Sequence, residues 1–548
     1  MSRPMLARDP GAGMRLGRAA VALVLVFGLA GFGSRTALAR PDSSAAVDAG
    51  TVTVATVGAA TDLDPASNQD DASNMVQRNI QEALVRAAGA SMTSYVPDLA
   101  TSWETNADQS IWTFHLRHGV RFHTGRCCMT ATDVQYSIAR TVTAGQAASG
   151  VFGRFLSNPF KQIQIVDPYT VRFHLGQPQP QFMGAISDDY TGMILDAQAL
   201  KAHVVKNDWG HAWASAHDLG TGPYVLRQWA RDQQVTLAKF PQYWGGWSGS
   251  HFSKVLIITT PDTTTRREMV ERGQADITFD LTPQDYDALK QNAKVMVFSA
   301  AGTQVSYFIM TEAGPLASPY ARQALSYAFD YNALVNGVDR GYAQRAYGPL
   351  ASTLLGFDPH VFKYQTDLTK ARALLRKAGV PQGTTLTLDY YDPYGAGAEI
   401  LQAQLAQIGI NLQIKQLTQD SFDAIYYGSA PASQRPNLMG QAWWPDYNDP
   451  YDECFPIIDS VSGGANGSNG GFYHNSQVDA LLAQMKNAPR NVLIKDARIV
   501  QHITSQVDPP AIWTAEPLQV TILAKNLHGF IYNPGDLRTY YFYTMYRS

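Results

Sequence analysis

Residues 112–125 read WTFHLRHGVRFHTG, and the first half of this stretch has the two-residue period of a half-buried β-strand. Trp112, Phe114 and Leu116 alternate with polar residues, as expected when successive side chains point to opposite faces of a sheet. Residues 170–175, TVRFHL, repeat the alternation. The sequence therefore predicts two strands that each bury one face.

Signals for helix ends are interspersed with these strand patterns. Thr130 and Asp133 form an acidic variant of the capping box at the start of one predicted helix. Ser318, which precedes a proline, and Asp367 are predicted N-caps of two more helices, and Gly379 stands where a left-handed residue would end the second. Because strand and helix patterns interleave along the chain, we predict an α/β fold rather than a β-sandwich or a helix bundle.

Length and composition are those of a globular protein with several domains. A chain of 548 residues exceeds what one hydrophobic core usually organises, so roughly two to four domains are expected. Hydrophobic residues make up 45% and charged residues 16%, a balance that excludes long disordered tracts. Residues 462–471, SGGANGSNGG, are too rich in glycine for a helix or strand and predict a flexible loop. The net charge of −3, without a basic run, argues against nucleic acid and anionic lipid as partners.

The first 39 residues have the pattern of a Sec-type signal peptide. Arginines precede the apolar run 19–32, and residues 37–39, ALA, supply the small residues of a cleavage site. The run is too short for a comfortable membrane span, and no later stretch approaches the ~20 apolar residues that a span requires. No cysteine follows the run to carry a lipid anchor. We therefore expect a periplasmic protein whose translation starts at Met1 or Met14.

The three cysteines, Cys127, Cys128 and Cys454, are too few for a disulfide scaffold. No pair has the two-residue spacing of a zinc knuckle or a redox motif, and at most one bridge can form. Export makes a bridge from Cys454 to Cys127 or Cys128 conceivable. Small buried thiols are an equally good interpretation.

Motifs of catalysis, metal binding and cofactor binding are missing. The chain has no HExxH, GxSxG or GxxxxGK[ST] motif, and no GxGxxG after a strand. Residues 220–224, GTGPY, favour a turn over a phosphate loop because Pro223 follows the second glycine. The acidic residues 446–453 resemble part of a calcium loop, but Pro450 occupies a ligand position. We therefore expect no enzyme activity, cofactor or metal ion, although carboxylates dispersed along the chain leave an exported hydrolase as an alternative.

Residues 443–450, WWPDYNDP, place one carboxylate among large aromatic side chains ahead of a predicted helix. A carboxylate in such surroundings is costly unless a cation or hydrogen bonds complete it. Asp446 therefore either has a structural partner in a turn or accepts a cationic ligand. Asp449 precedes a proline, as the N-cap of a helix would, and we expect it to be structural.

Nine segments of the chain resemble, in the right order, segments of the extracytoplasmic solute-binding proteins, family 5, of ATP-binding cassette importers. Members of this family carry oligopeptides, dipeptides or nickel. The resemblance spans nearly the whole chain after the predicted signal peptide. The segments are LDP (63–65), YVPDLATSWE (95–104), WTFHLRHGVRFHTG (112–125), TATDVQYS (130–137), GTGPY (220–224), PQYWGG (241–246), GQADI (273–277), ARQALSYAFD (321–330) and LTKARALLRKAG (368–379).

The resemblance implies a bilobal periplasmic-binding-protein type II fold, in which two lobes are joined by hinge strands and one lobe carries an extra subdomain. By this likeness, Val305 to Met310 and Pro509 to Glu516 would be the hinge strands. Closure of such lobes on a ligand is a hinge motion. The implied ranges are 1–39 for the signal peptide, 40–94 with 215–304 and 511–548 for lobe I, 95–214 for the extra subdomain and 305–510 for lobe II.

The family also implies roles for residues of the aromatic segment. Peptide-binding members have a W-x-x-D-x-x-[DE]-P stretch whose aspartate pairs with the α-ammonium group of the ligand, and Asp446 occupies that position. Trp443 and Tyr447 would exclude water from this pair. Trp444 lies outside the matched pattern and either lines the site or fills a core. Arg435 is a candidate for the ligand's carboxylate, with a surface position as its alternative.

The expected function is that of a monomeric periplasmic receptor. It would capture a short peptide or peptide-like solute between two lobes and deliver it to an ABC permease in the inner membrane, driven by a separate ATPase. A first alternative keeps the architecture and changes the ligand to a metal chelate, a sugar or an opine. A coordinated metal would need a histidine near the cleft, and His474 is the candidate close in sequence.

Overall fold

The computed structural model describes residues 50–548, except 69, 146–147, 189–190 and 536–537. The predicted signal peptide and both candidate start residues lie outside the described residues. The strands are β1 (Thr51–Thr56), β2 (Val85–Ala87), β3 (Tyr95–Pro97), β4 (Ala100–Thr105), β5 (Ile111–Leu116), β6 (Ile163–Asp167), β7 (Thr170–His174), β8 (Tyr224–Ala230), β9 (Gln234–Lys239), β10 (Lys254–Thr259), β11 (Ile277–Phe279), β12 (Val295–Ala301), β13 (Val305–Met310), β14 (Ala343–Arg345), β15 (Thr385–Tyr390), β16 (Asn411–Gln416), β17 (Leu438–Trp443), β18 (Ala511–Ala524), β19 (Leu527–His528) and β20 (Tyr546–Arg547).

Helices alternate with these strands throughout. They are α1 (Asp71–Ile80), α2 (Ala131–Ala144), α3 (Ser149–Gly153), α4 (Pro159–Gln162), α5 (Phe182–Ile186), α6 (Ala197–Ala202), α7 (His211–Ala214), α8 (Thr263–Glu271), α9 (Pro283–Leu289), α10 (Pro319–Ala328), α11 (Leu368–Lys377), α12 (Gly395–Gln407), α13 (Gln419–Tyr426), α14 (Pro450–Ile458), α15 (Ser476–Met485) and α16 (Arg490–His502). Over the described ranges, none of the helices combines the length and the apolar character needed to cross a bilayer.

One long strand, β18, belongs to both halves of the largest sheet. Its first residues, 511–515, pair antiparallel with β13, which continues the sheet through β17, β15 and β16. Its last residues, 518–524, pair with β12 and β11, and β11 leads on to β1, β10, β9 and β8. The two halves are therefore joined within one hydrogen-bonded ladder, where β12 ends and β13 begins.

A separate antiparallel sheet, in the order β4-β5-β7-β6, contains the two strands that open the sequence analysis. Phe114 and Phe173 are fully buried on its inner face and meet edge to face, with ring centroids 5.7 Å apart. Helix α2 packs on this sheet and begins with the predicted capping box of Thr130 and Asp133. Both strand predictions and this helix start are confirmed.

The other predicted helix ends are confirmed as well. The Ser318 and Asp367 side chains accept hydrogen bonds from the first turns of α10 and α11. Gly379, just after α11, has a φ of +73°, a conformation that glycine adopts without steric cost. Local side-chain chemistry therefore sets these ends without help from distant residues.

Residues 462–471 contain the 3-10 turn Gly464–Asn466, follow directly on another that ends at Ser462, and are largely buried, so the expectation of a flexible loop is wrong. The Asn469 side chain bonds backbone groups of Asp459 and Tyr473 on both sides of the loop. A Cβ at Gly471 would stand 2.5 Å from the carbonyl oxygen of Met310. The glycines here permit close packing, which composition alone does not distinguish from flexibility.

Residues 220–224 form the predicted turn. A Cβ on Gly220 would lie 1.9 Å from the carbonyl oxygen of Ile80, closer than any side chain can approach. The missing side chain therefore lets this turn pass directly over the end of α1.

A disulfide joins Cys127 to its neighbour Cys128, and Cys454 is a free, fully buried thiol. The proposed bridge from Cys454 is therefore wrong. Cys454 lies on α14 inside a hydrophobic core, where burial raises the pKa of the thiol well above its usual value. It behaves there as a small apolar side chain.

Arg322, on α10, is fully buried where the chain enters β18. Its guanidinium donates to the carboxylate of Asp508 and, at 3.1 Å, to the carbonyl oxygen of Pro509. It also donates to the carbonyl of Leu316 at 2.8 Å and lies 3.2 Å from the carboxylate of Glu312. One cation therefore ties α10 to the first residues of the shared strand.

We expect Arg322→Met to lower the free energy of unfolding by about 3–5 kcal/mol, because it leaves buried carboxylates and carbonyls without a partner. Urea unfolding followed by circular dichroism measures the change. Arg376→Met, on the exposed side of α11, is the matched control and should shift the free energy by no more than about 0.5 kcal/mol. Equal midpoints for the two variants would contradict the role given to Arg322.

Candidate ligand-binding site

The aromatic segment connects the end of β17 at Trp443 to the start of α14 at Pro450. Asp449 is the N-cap of α14, and its carboxylate accepts from the backbone amides of Tyr451 at 2.8 Å and Asp452 at 3.4 Å. Proline at the next position has no amide hydrogen that would need a partner. The predicted structural role of Asp449 is confirmed.

Asp452 holds the turn that carries Asp446. Its Oδ2 accepts from the backbone amide of Asp446 at 2.6 Å and from that of Tyr447 at 3.3 Å. The backbone at Asp446 is thereby tied to the first turn of α14. The carboxylate of Asp446 is left facing outward.

That carboxylate has no internal partner among the residues that the structure describes: no side chain or amide donates to it. The side chain is exposed because it opens into a cleft, yet the surrounding protein desolvates it enough to raise its pKa. Desolvation also raises the pKa of Asp452 well above its usual value, and the neighbouring charge of Asp446 adds to that shift. Two nearby carboxylates therefore disfavour each other's charge, and a cation at Asp446 would relieve both.

Asp446 lines two adjoining cavities. The larger has a volume of about 380 Å³ and is walled by Trp443, Trp444, Tyr391 and Tyr427. The smaller, of about 60 Å³, runs from Asp446 toward the loop that follows β2. Trp444 is 43% exposed and does not fill a core. The larger cavity therefore combines aromatic walls with several polar and acidic side chains, which can orient a charged ligand.

Tyr447 does not face the larger cavity. Its side chain is only 6% exposed and packs into the core of the β4-β5-β7-β6 domain, with its ring 6.2 Å from that of Phe155. The guanidinium of Arg154 lies 5.5 Å from the same ring, and Asn448 donates to the carbonyl of Met92. The aromatic segment is therefore held beside Asp446 by contacts with the core of the β4-β5-β7-β6 sheet and with the loop after β2.

Arg435 is not brought to either cavity. Its guanidinium donates to the backbone carbonyls of Tyr426, Gly428 and Ala430, with a longer contact to Gly470. Because these carbonyls occupy its donors, Arg435 braces the end of α13 against the glycine-rich loop. The expected contact with a ligand carboxylate is corrected accordingly.

Most residues of the larger cavity were not predicted from the sequence, among them Tyr391, Asp423 and Gln441. These three come from the segment after β15, from α13 and from β17, respectively. None carries a local signal, because only the tertiary fold brings these segments together. His474 lines neither cavity, and no group of histidine, cysteine and acidic side chains in the described chain is arranged to hold a metal ion.

A family model described as bacterial extracellular solute-binding proteins, family 5 Middle, matches residues 94–462, which is well over half of the chain. The chain belongs to this family. Its membership confirms the resemblance found in the nine segments, and it places the chain among proteins that bind solutes.

Relatives in the family carry names with different ligands. The probable D,D-dipeptide-binding periplasmic protein DdpA of Escherichia coli is 29% identical over 443 residues, covering 80% of this chain and 82% of that protein. Heme-binding protein A of Haemophilus influenzae is 27% identical over 478 residues, covering 82% of this chain and 84% of that protein. The identity of the solute therefore has to be argued from the site.

The fold is shared with solved structures of periplasmic binding proteins. The structure of DppA from Helicobacter pylori in complex with the peptide STSA superposes with a TM-score of 0.76 at 24% identity, covering 91% of this chain and 98% of that one. The predicted bilobal α/β fold is confirmed by this likeness.

Stability of the ligand-free protein should depend on pH through Asp446 and Asp452. Both pKa values are raised in the folded state, so between the ordinary carboxyl value of 3.8 and the raised values the folded protein holds protons that the unfolded chain has released. The free energy of unfolding should therefore fall as the pH rises through that window. Asp452→Asn keeps the accepting oxygen and removes the charge, so it should stabilise the protein at pH 7 by on the order of 1 kcal/mol.

Urea unfolding at a series of pH values measures this effect. The stabilisation by Asp452→Asn should disappear below the ordinary carboxyl pKa, where both proteins are protonated. Glu104→Gln, an exposed change on β4, should leave the pH profile unaltered. If the free energy of unfolding of Asp452→Asn differs from that of the parent by the same amount at every pH, the two carboxylates do not destabilise the folded protein through their charges.

Proposed function

We propose that this chain is the periplasmic solute-binding component of an ABC importer and that it captures short peptides by their free amino terminus. The observation that carries the proposal is the carboxylate of Asp446, desolvated in a cleft and without an internal cation among the described residues. An α-ammonium group supplies the missing charge and three hydrogen-bond donors. Charge-assisted hydrogen bonds of this kind are stronger in a low-dielectric cleft than in water.

Aromatic side chains of the same cavity support the binding of an ammonium group. Trp443 and Trp444 wall the space beside Asp446, and their ring faces attract a cation within about 6 Å of the ring centre. The indole Nε1 of Trp443 is enclosed by protein and has no acceptor among the described residues, so these indoles present their ring faces to a ligand rather than this donor.

The proposed motion is a hinge closure. Lobe I would comprise 40–94, 215–304 and 511–548 with the subdomain 95–214, and lobe II would comprise 305–510. Bending would occur at residues 302–304 and 515–518, where the chain leaves one half of the sheet for the other. A ligand that binds the closed form more tightly shifts the population toward it. A permease with its ATPase then accepts the closed, loaded protein.

Names of relatives agree with a peptide ligand, since DdpA is a probable D,D-dipeptide-binding protein and the DppA structure holds the peptide STSA. A metal chelate is less well supported, because no histidine lines either cavity in the part of the chain that the structure describes. Sugar, opine and hydrolase alternatives have no observation of their own in the site. The charge of Asp446 therefore favours a ligand with a cationic terminus.

Asp446→Asn should weaken the binding of a dipeptide by about 2–5 kcal/mol, because the ammonium group would be desolvated without a counter-charge. Isothermal titration of the purified protein with alanyl-alanine measures the loss. The N-acetylated dipeptide, which has no terminal cation, should bind parent and mutant equally weakly.

Glu104→Gln provides the control, since it removes one acidic charge far along the chain from the aromatic segment and should bind as the parent does. If Asp446→Asn and the parent bind alanyl-alanine with equal affinity, Asp446 does not contact the ligand. If the parent binds no short peptide, the ligand is not a peptide.

A further inference from the structure

A second carboxylate faces the larger cavity. Asp423 lies on α13, lines the same cavity of about 380 Å³ as Asp446, and receives no hydrogen bond or ion pair at its side chain from the described residues. Burial and the nearby charge of Asp420 raise its pKa. Asp423 also lies close enough to the hydroxyl groups of Tyr391 and Tyr427 to raise their pKa values.

The remaining acidic side chains of this cavity are already engaged. Asp71 pairs with the guanidinium of Arg538 at 3.0 Å, and Asp188 accepts from the amide and hydroxyl of Thr191. No lysine, arginine or histidine among the described residues lines either cavity. The uncompensated charge of the cavity therefore resides on Asp446 and Asp423.

Gln441 supplies an independent observation that points to a ligand. Its side chain is 7% exposed, and its Oε1 accepts from the backbone amide of Ala442 at 2.9 Å and from the hydroxyl of Tyr391 at 2.8 Å. A backbone amide can only donate, so the oxygen of the side-chain amide is identified and Nε2 must point the other way. That nitrogen has no acceptor among the described residues and is not among the enclosed unpaired atoms, which fits a position open to the cavity that Gln441 lines.

Aromatic faces complete the surroundings of Asp423. Tyr391 and Tyr427 line the cavity beside it, and Tyr427 is 41% exposed. Rings around a carboxylate suit an ammonium or guanidinium group on an aliphatic stem, because the stem packs on the rings while the charge meets the acid. The cavity thus has two anionic ends and a hydrogen-bond donor.

We propose that Asp423 forms a second cation subsite and that the preferred ligands are short peptides with a free amino terminus and a lysine or arginine side chain. This inference rests on the proposed function, since Asp446 holds the terminus. Gln441 donates to a peptide carbonyl, and the basic side chain reaches Asp423. The cavity volume of about 380 Å³ lies at the small end of the usual range for ligand pockets, about 300–1,000 Å³, which favours dipeptides.

The test is isothermal titration of the parent with alanyl-lysine and lysyl-alanine, each compared with its Nε-acetyllysine counterpart. Acetylation keeps the length of the side chain and removes its charge. For at least one of the two pairs, the charged peptide should bind the parent about tenfold more tightly. A preference at neither position would overturn the inference.

Two variants locate the effect. Asp423→Asn should abolish the preference for the charged side chain, so that alanyl-lysine and its acetylated counterpart bind this variant equally. Asp420→Asn, an exposed change three residues earlier on the same helix that does not line the cavity, should retain the preference. If both variants lose the preference for the charged peptide equally, the preference comes from the overall negative charge around the cavity and not from a subsite at Asp423. If neither variant loses it, Asp423 has no role in the preference. Unchanged unfolding midpoints establish that each variant is folded.

Two further comparisons distinguish failure of the second subsite from failure of the proposed function. Binding of alanyl-alanine that depends on Asp446, without any preference for lysine, rejects the second subsite alone. Binding of alanyl-alanine that is unaffected by Asp446→Asn rejects the proposed function itself. The diamine 1,5-diaminopentane carries two cations and no carbonyl, and an affinity equal to that of the lysine dipeptides would overturn the assignment of a peptide.

Discussion

The backbone ladder of β18 is the constraint on which the rest of the molecule depends. Its first residues pair with β13, and its last residues pair with β12 and β11, so one strand supplies hydrogen bonds to both halves of the sheet. In the proposed hinge closure, a ladder that continues through the junction would allow the two halves to move only by bending at a few residues. Arg322 ties the start of that strand to α10, so the bend would lie beyond this anchor.

Acidic side chains accumulate at the cleft in a way that stability alone would not favour. The carboxylates of Asp449 and Asp452 accept hydrogen bonds from backbone amides of the turn, and these bonds hold the backbone of Asp446 in place. Asp446 and Asp423 have no such use inside the described protein. In the proposed complex a cation would offset their desolvation cost, so the charges that destabilise the empty site would provide its specificity for a cationic ligand.

The sequence predicted the parts of the fold that local chemistry controls. The capping box at Thr130, the N-caps at Ser318, Asp367 and Asp449, and the terminating Gly379 depend on neighbours within a few residues, and all were found as expected. The bilobal fold was reached through a resemblance spread over nine segments. No single one of them would have specified it.

Tertiary contacts account for what the sequence did not reveal. Arg435 has the charge of a carboxylate-binding residue, but the backbone carbonyls that it meets come from α13 and the glycine-rich loop, whose proximity no local pattern records. The same limit applies to Gln441 and Asp423, which meet across a cavity between distant segments. The prediction for residues 462–471 was wrong because glycine occurs both in flexible loops and where two backbone segments pack closely. Only the surrounding residues in the fold distinguish these two cases.

The position of Tyr447 has a kinetic consequence. Its ring sits in the core beside the β4-β5-β7-β6 sheet while its backbone belongs to the segment that holds Asp446, so the proposed opening of the cleft would withdraw an aromatic side chain from an apolar environment into water. The rate of ligand release would then depend partly on this withdrawal and not on the contacts of the ligand alone. Residence time and affinity can therefore be set by different residues.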